Sequence, residues 1–307
     1  MVGYYGFGGL RVKDISELLG SRYPIIQGAM GVICNPEMVA AVSEAGGYGL
    51  LATGFLSDPE LLVKQIQAVK KLTDKPFGAN LMAMNPMSMT FAQILADHGI
   101  QVITTSAGSP KELVSLLKER GVKVLHVVPA VEYAMKAEAA GADAVIAEGS
   151  ESGGIQGYWG ASTMVLVPMV VDAVKIPVVA AGGIGDSRGY RAAFALGAKG
   201  VQVGTRFIAS RECIAHTNYK VALREAKETD TVVIDRGRIC VRVIRTPLAE
   251  ELLQKSAETP LAFTPGSLEE AWIGGNLRAN TLPAGQITGM IKELKSVREI
   301  IEEMVKH

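Results

Sequence analysis

Residues Ile176–Phe207 read IPVVAAGGIGDSRGYRAAFALGAKGVQVGTRF. An apolar run, Pro177–Ala181, has the length of one buried strand. A glycine-rich turn follows at Gly182–Asp186. Ser187–Leu196 then carries helical spacing, and a second apolar run starts at Gly200 and is read to Phe207. Strand, turn, helix and strand in that order form one βα unit of a parallel sheet.

The same rhythm extends in both directions. Apolar runs recur at Pro24–Met30, Gly49–Thr53, Phe77–Met82, Val102–Ser106, Val122–Val128 and Ala144–Glu148. Helical stretches lie between them, among them Pro36–Ala45, Pro59–Leu72, Pro110–Arg120 and Thr163–Val174. Several begin with Ser, Asp or an early Pro, as helix starts do. Eight strands separated by helices predict an α/β protein of the (β/α)8 TIM-barrel class. A doubly wound sheet is the alternative, but it has fewer strands and does not close. The rhythm breaks after Phe207. Residues 211–283 hold helical pieces and two β-like stretches, Thr231–Ile234 and Ile239–Ile244, and are expected to be a lid or cap inserted after strand eight. The barrel is assigned to 1–210 and 284–307, with an amphipathic Gln286–Val305 returning as its last helix.

Composition narrows the function. Of 307 residues, 48% are hydrophobic, enough for a packed core and against disorder. Lys+Arg and Asp+Glu both number 31, so no basic excess points to nucleic acid. The three cysteines, Cys34, Cys213 and Cys240, form no CxxC pair, and no metal-ligand spacing is visible. No signal-peptide pattern or membrane-length apolar run is present, so a cytoplasmic protein is expected.

In such a barrel the chemistry sits at the C-terminal strand ends. AAGGIGD (Ala180–Asp186) and VGTRF (Val203–Phe207) end two successive strands. Glycines there leave backbone N–H groups open to an anion, and the pairing favours a phosphate over two tight turns. Arg206 either neutralises that phosphate or pairs with a carboxylate. Asn80 is either a satisfied core amide or a hydrogen-bond partner for a heteroaromatic ring edge. Glu148 ends a strand and can accept from ligand hydroxyls, while Glu151 reads equally well as a solvated turn residue. His126 lies near the end of strand five, and a satisfied core histidine is favoured over a ligand-facing one. Met82, Met84, Met87 and Met89 read first as core filler and second as an adaptable channel. Tyr158 and Trp159 offer stacking or packing.

The segments PIIQGAM, AAVSEAGGYGLLATG, KPFGANLM, GADAVIAEGSESGG, IPVVAAGGIGD, ALGAKGVQVGTRF, AHTNYK and AGQITG span Pro24–Gly289. In order and spacing they resemble the flavin-dependent nitronate monooxygenase family, and most of all its FMN-dependent enoyl-acyl-carrier-protein reductases of type II. The resemblance implies a TIM barrel holding FMN. Ala29 and Met30 would lie along the flavin and Asn80 at its ring. Glu148, Gly149 and Gly154 would lie near the ring edge or ribityl chain. Gly182, Gly183, Gly204 and Thr205 would cradle the phosphate, with Gln202 a further contact. The family's GGH motif carries its acid/base histidine, and this chain has Ile155 in that place. Gln156, His126 and Tyr158 are the candidate catalytic residues that remain, although an amide can only position a carbonyl. The function this implies is NAD(P)H-driven reduction of an activated alkene, such as an enoyl thioester, by flavin hydride transfer. One alternative is a nitronate monooxygenase using O2. Another is a flavin-binding component without catalysis, which rests on Ile155. A small-molecule or acyl-thioester substrate, no nucleic acid or membrane, and a homodimer complete the expectations.

Overall fold

Short strands buried on both faces alternate along the chain with helices apolar on one side. The computed structural model describes residues 14–306 apart from 158, 159, 238, 257, 259, 260 and 262. In chain order the strands are β1 (Ile25–Gln27), β2 (Gly49–Ala52), β3 (Phe77–Met82), β4 (Val102–Ser106), β5 (Lys123–Val128), β6 (Ala144–Glu148), β7 (Gly154–Gln156), β8 (Val178–Ala181), β9 (Gly200–Val203), β10 (Thr231–Asp235) and β11 (Cys240–Ile244). Eight of them form one parallel sheet in the order β1-β9-β8-β6-β5-β4-β3-β2. The ring is completed between β1 and β2 by a single parallel bridge, Ile26 to Tyr48. Gln27 strengthens this seam: its side-chain Oε1 accepts from Leu50 N at 3.1 Å, and its Nε2 donates to Leu50 O at 3.2 Å. A side-chain amide thus replaces a missing rung of main-chain ladder. The result is a (β/α)8 barrel.

Helices between the strands follow from ordinary signals. Pro59–Leu72 starts on Asp58, whose carboxylate accepts from Glu60 N, and it buries Leu62, Ile66 and Val69 at helical spacing. Ser187–Ala195 starts on Asp186, which accepts from Arg188 N and Gly189 N. Inside the barrel, Ile26, Leu50, Leu125, Ile146 and Val179 pack with Tyr48. Ile15 and Leu19, ahead of β1, join that cluster, and Ile15 N donates to Lys199 O just before β9. The N-terminal turn therefore packs at the strand-start end, away from the strand ends where the site lies.

Three boundaries depart from the sequence expectation. Strand one is Ile25–Gln27 and not Pro24–Met30, because Gly28 N makes the last ladder bond, to Val203 O, and Gly31–Ile33 turns as a 3-10 helix. Strand eight ends at Val203, and Thr205–Ile208 coils into a short helix whose residues are all buried. Gln286–Val305 is not one helix. Gln286–Met290 is a 3-10 turn, and a new helix, Val297–Met304, starts at a capping box between Ser296 and Glu299. It packs on Pro36–Glu44 and Ser187–Ala195.

The 211–283 segment contributes β10 and β11, which pair antiparallel, and the helices Thr217–Glu225, Pro247–Leu253 and Pro265–Trp272. β11 also pairs antiparallel with β7, which comes from the loop after barrel strand β6. Gly154–Gln156 is not among the strands that the sequence predicts. It becomes a strand because Ile155 pairs with Val241 and packs on the apolar cluster of Val232, Ile234, Val241 and Val243. Among the described residues, no helix is long and apolar enough to cross a membrane.

Candidate active site

A cavity of about 1260 Å³ opens at the C-terminal ends of the barrel strands. Single small-molecule sites usually run from about 300 to 1,000 Å³. This one has room for a cofactor and a substrate together. Its lining includes Ala29, Met30, Asn80, His126, Glu148, Gly154, Gln156, Gly182, Gly183, Gln202, Gly204 and Thr205. Gly149 lies instead on a small adjoining pocket, packed against Thr163. Tyr158 and its neighbour Trp159 fall outside the described residues.

The glycine ends of β8 and β9 suit an anion. Gly182 and Gly183 take φ of 92° and 71°, a left-handed conformation natural to glycine. A Cβ on Gly204 would meet nothing nearer than Met30 at 3.9 Å, so the space beside it belongs to the cavity, and a methyl there would project into it. Thr205 Oγ1 accepts from Gly285 N at 2.9 Å, which ties the chain after residue 284 to this corner. Arg206 does not reach the cavity. Its guanidinium is buried and donates to Glu293 O at 3.2 Å, with Glu293 and Glu303 near it.

Asn80 is both of the things its sequence context allowed. Its Oδ1 accepts from Thr104 Oγ1 at 2.9 Å and its Nδ2 donates to Ser106 Oγ at 3.1 Å, yet the residue lines the cavity. Nδ2 carries a second hydrogen beyond the one given to Ser106. His126 is likewise held and cavity-lining: Nδ1 shares a 2.8 Å hydrogen bond with Thr105 Oγ1. Burial pushes its pKa down to about 4, so the ring is neutral at pH 7 and is a poor proton donor.

Glu148, at the end of β6, behaves in the opposite sense. Burial raises its carboxyl pKa to about 7, with a hydrogen bond from Ser152 opposing the shift. At neutral pH it is therefore half protonated and faces the cavity. Glu151 is not a solvated turn residue. Its carboxylate accepts from Thr163 N at 2.8 Å and Thr163 Oγ1 at 3.0 Å, and so caps the helix Thr163–Ala173. Gln156 Nε2 donates to Ser150 O at 2.9 Å and reaches Ser152 O and Ser152 Oγ as well. The amide hydrogens thus hold the 150–152 turn in place. Ile155 lines the cavity beside it.

The methionines divide. Met82 lines the cavity, Met87 packs against core, and Met84 and Met89 are exposed, so the segment is not simply core filler. Sequence reasoning missed the wall supplied by Phe55, Tyr219, Val241, Phe263 and Trp272. Tyr219 and Gly285 fall inside the AHTNYK and AGQITG segments, so for those two a signal was present.

Comparison with known proteins decides the family. The nitronate monooxygenase family model matches residues 13–98 and 88–307. The chain belongs to the nitronate monooxygenase family. It is 42% identical to FabK from Thermotoga maritima, with a TM-score of 0.90 over 96% of this chain and 95% of that one. Nitroalkane oxidase from Streptomyces ansochromogenes superposes with a TM-score of 0.81 at 28% identity, covering 94% and 96%. Among curated relatives, a probable nitronate monooxygenase of Staphylococcus saprophyticus is 34% identical, covering 95% of this chain and 96% of its own. A (3aS,4S,5R,7aS)-5-hydroxy-7a-methyl-1-oxo-octahydro-1H-indene-4-carboxyl-CoA dehydrogenase of Mycobacterium tuberculosis is 32% identical, covering 95% and 94%. This family member is an oxidoreductase, and its family is FMN-dependent. The site fits FMN: the open Gly204 cradle and the left-handed Gly182–Gly183 turn suit the phosphate, and the Asn80 amide suits a ring edge.

Proposed function

We propose that this enzyme reduces the carbon–carbon double bond of an α,β-unsaturated acyl thioester, with NAD(P)H as the electron source. FMN, when bound, supplies hydride transfer. Gly182, Gly183, Gly204 and Thr205 would hold its phosphate, with Ala29, Met30, Asn80, Gly154 and Gln202 along the rest. Residues 211–283 serve as the covering segment over the substrate, through the apolar side chains of Tyr219, Val241, Phe263 and Trp272.

One observation carries this reading. The cavity holds a carboxyl that is half protonated near pH 7, Glu148, while the place of the family's histidine is taken by Ile155. Alkene reduction needs a proton delivered to one carbon, whereas nitroalkane oxidation needs a proton removed from carbon. A protonated Glu148 carboxyl can deliver. At the place of the family's base Ile155 cannot remove one, and Gln156 beside it has no basic atom. Likeness to FabK at 42% identity and to a dehydrogenase of a carboxyl-CoA compound supports an acyl thioester as the substrate class.

A second reading, oxidation of alkyl nitronates with O2, is favoured by the Staphylococcus saprophyticus relative and by the fact that a nitronate is already deprotonated. Anaerobic visible spectroscopy separates the two. Bleaching of the flavin band by NADH or NADPH, followed by its return on adding an enoyl thioester, is the expected result. A band that stays oxidised with either nucleotide but bleaches with a nitronate overturns the reductase reading.

A further inference from the structure

The cavity does not stop at the barrel mouth. It leaves past Ala107–Gly108 and continues between the helices Lys111–Glu119 and Val131–Ala139. Ala107 at that corner holds a φ of 53°, unusual for a residue with a Cβ. Small residues, Ser115, Ala139 and Ala140, line this outer part. Its charges are Lys111, Lys118 and Lys136, all exposed, while the carboxylates lining the cavity, Glu148 and Glu151, lie back at the barrel. Lys111 and Lys118 stand about 10 Å apart along their helix axis at about 1.5 Å per residue.

We propose that this extension binds the phosphorylated nucleotide end of a coenzyme A thioester, with Lys111, Lys118 and Lys136 on its phosphates. The inference rests on the acyl-thioester reading above and deepens it. A thioester reaching the reactive end of the cavity must leave its long polar arm somewhere, and this is where the cavity runs out of the barrel. Three separated cations match the diphosphate and the 3′-phosphate of coenzyme A better than the single phosphate of a phosphopantetheine arm. The present partners of two lysines are weak competitors. Lys118 Nζ donates to Gly141 O at 2.8 Å, and Lys136 pairs with the exposed Glu132 beside the Tyr133 ring. Exposed pairs of this sort contribute little and exchange readily.

The test uses the flavin-loaded enzyme and the triple variant Lys111→Ala, Lys118→Ala, Lys136→Ala. Three substrates carry the same enoyl group: on coenzyme A, on 4′-phosphopantetheine and on N-acetylcysteamine. For the coenzyme A ester we expect KM to rise at least tenfold in the variant with kcat unchanged, and the wild-type KM to rise with salt. KM for the N-acetylcysteamine ester and for NAD(P)H should stay within twofold. Equal changes for all three esters, a change in KM for NAD(P)H instead, or a phosphopantetheine ester as dependent on the lysines as the coenzyme A ester would overturn the assignment. Should no thioester be reduced, the functional reading fails on its own. The groove is then decided by calorimetric binding of free coenzyme A to the two proteins, where a tenfold weakening in the variant supports the site and equal or absent binding removes it.

Discussion

The barrel mouth presents main chain and hydrogen-bonded polar side chains to the cavity: Gly182, Gly183, Gly204, Asn80 and His126. The sheet of β7, β10 and β11 presents Gly154, Ile155, Gln156 and Val241, of which Ile155 and Val241 are aliphatic. In the first region a ligand is held by groups fixed before it arrives, since Asn80 is tied to Thr104 and Ser106 and His126 to Thr105. In the second it meets aliphatic surface backed by a small satellite core. The two also tolerate change differently. Gly149 and Gly182, at strand ends of the barrel, are packed against other backbone, whereas the sheet rests on side-chain contacts that can adjust.

The largest expected effect tests that rigidity. A Cβ at Gly149 would lie 2.1 Å from Thr163 Oγ1 and 2.4 Å from Thr163 N. Gly149→Ala should cost more than about 4 kcal/mol, an exceptional loss for one methyl. Urea unfolding checks it, and near-wild-type stability would show that the helix Thr163–Ala173 can move.

Gly204→Ala separates holding from folding at the same mouth. Space for its Cβ exists, so the thermal midpoint of the flavin-free protein should not change, while FMN affinity falls at least about tenfold, or 1.4 kcal/mol. Fluorescence titration reads this directly. An unchanged Kd would mean that the phosphate lies elsewhere.

Glu148 tests the electrostatics of the barrel side. Its carboxyl pKa rises on folding from 4.5 to about 7, so the folded state holds the proton more tightly than the unfolded chain. That contribution is fully present below 4.5 and is lost as pH rises through 7. The flavin-free Glu148→Gln variant should therefore gain in midpoint relative to wild type between pH 5 and 8, and its kcat should fall about a hundredfold. His126 has the reverse sign. Its pKa drops from 6.5 to about 4, so its contribution is present above 6.5 and is lost as pH falls through 4. A midpoint difference between Glu148→Gln and wild type that is flat with pH would show the carboxyl to be solvated.

Ile155→Val should produce the smallest effect. Removing one methylene from a partly buried residue costs about 0.5–1 kcal/mol, and FMN binding should be untouched. A loss of FMN on this change would mean that the sheet, and not the barrel alone, holds the cofactor.

Much of this was legible one residue at a time. The barrel follows from continuous apolar runs alternating with stretches of 3.6 period in each βα unit, because neighbours in sequence are also neighbours in the sheet. Gly182, Gly183, Gly204 and Asn80 were visible because strand ends converge in any such barrel. Boundaries were harder. Phe207 is apolar enough to extend β9, but the turn at Gly204 and burial on all sides coil it instead. Glu151 stayed open between a ligand contact and a solvated turn residue because its partner, Thr163, becomes its neighbour only when the 149–153 turn folds back on the next helix.

By itself the sequence determined the barrel, the glycine-rich strand ends at its mouth and the loss of the family's histidine at residue 155. These depend on local pattern and residue identity. Tertiary structure alone decided that residues 154–156 form a strand with 240–242 and that burial raises the Glu148 carboxyl pKa. It alone also decided that the cavity runs out between two helices toward three lysines. Each of these depends on groups far apart in the chain, and burial, which sets a pKa or opens a groove, is a property of their packing together.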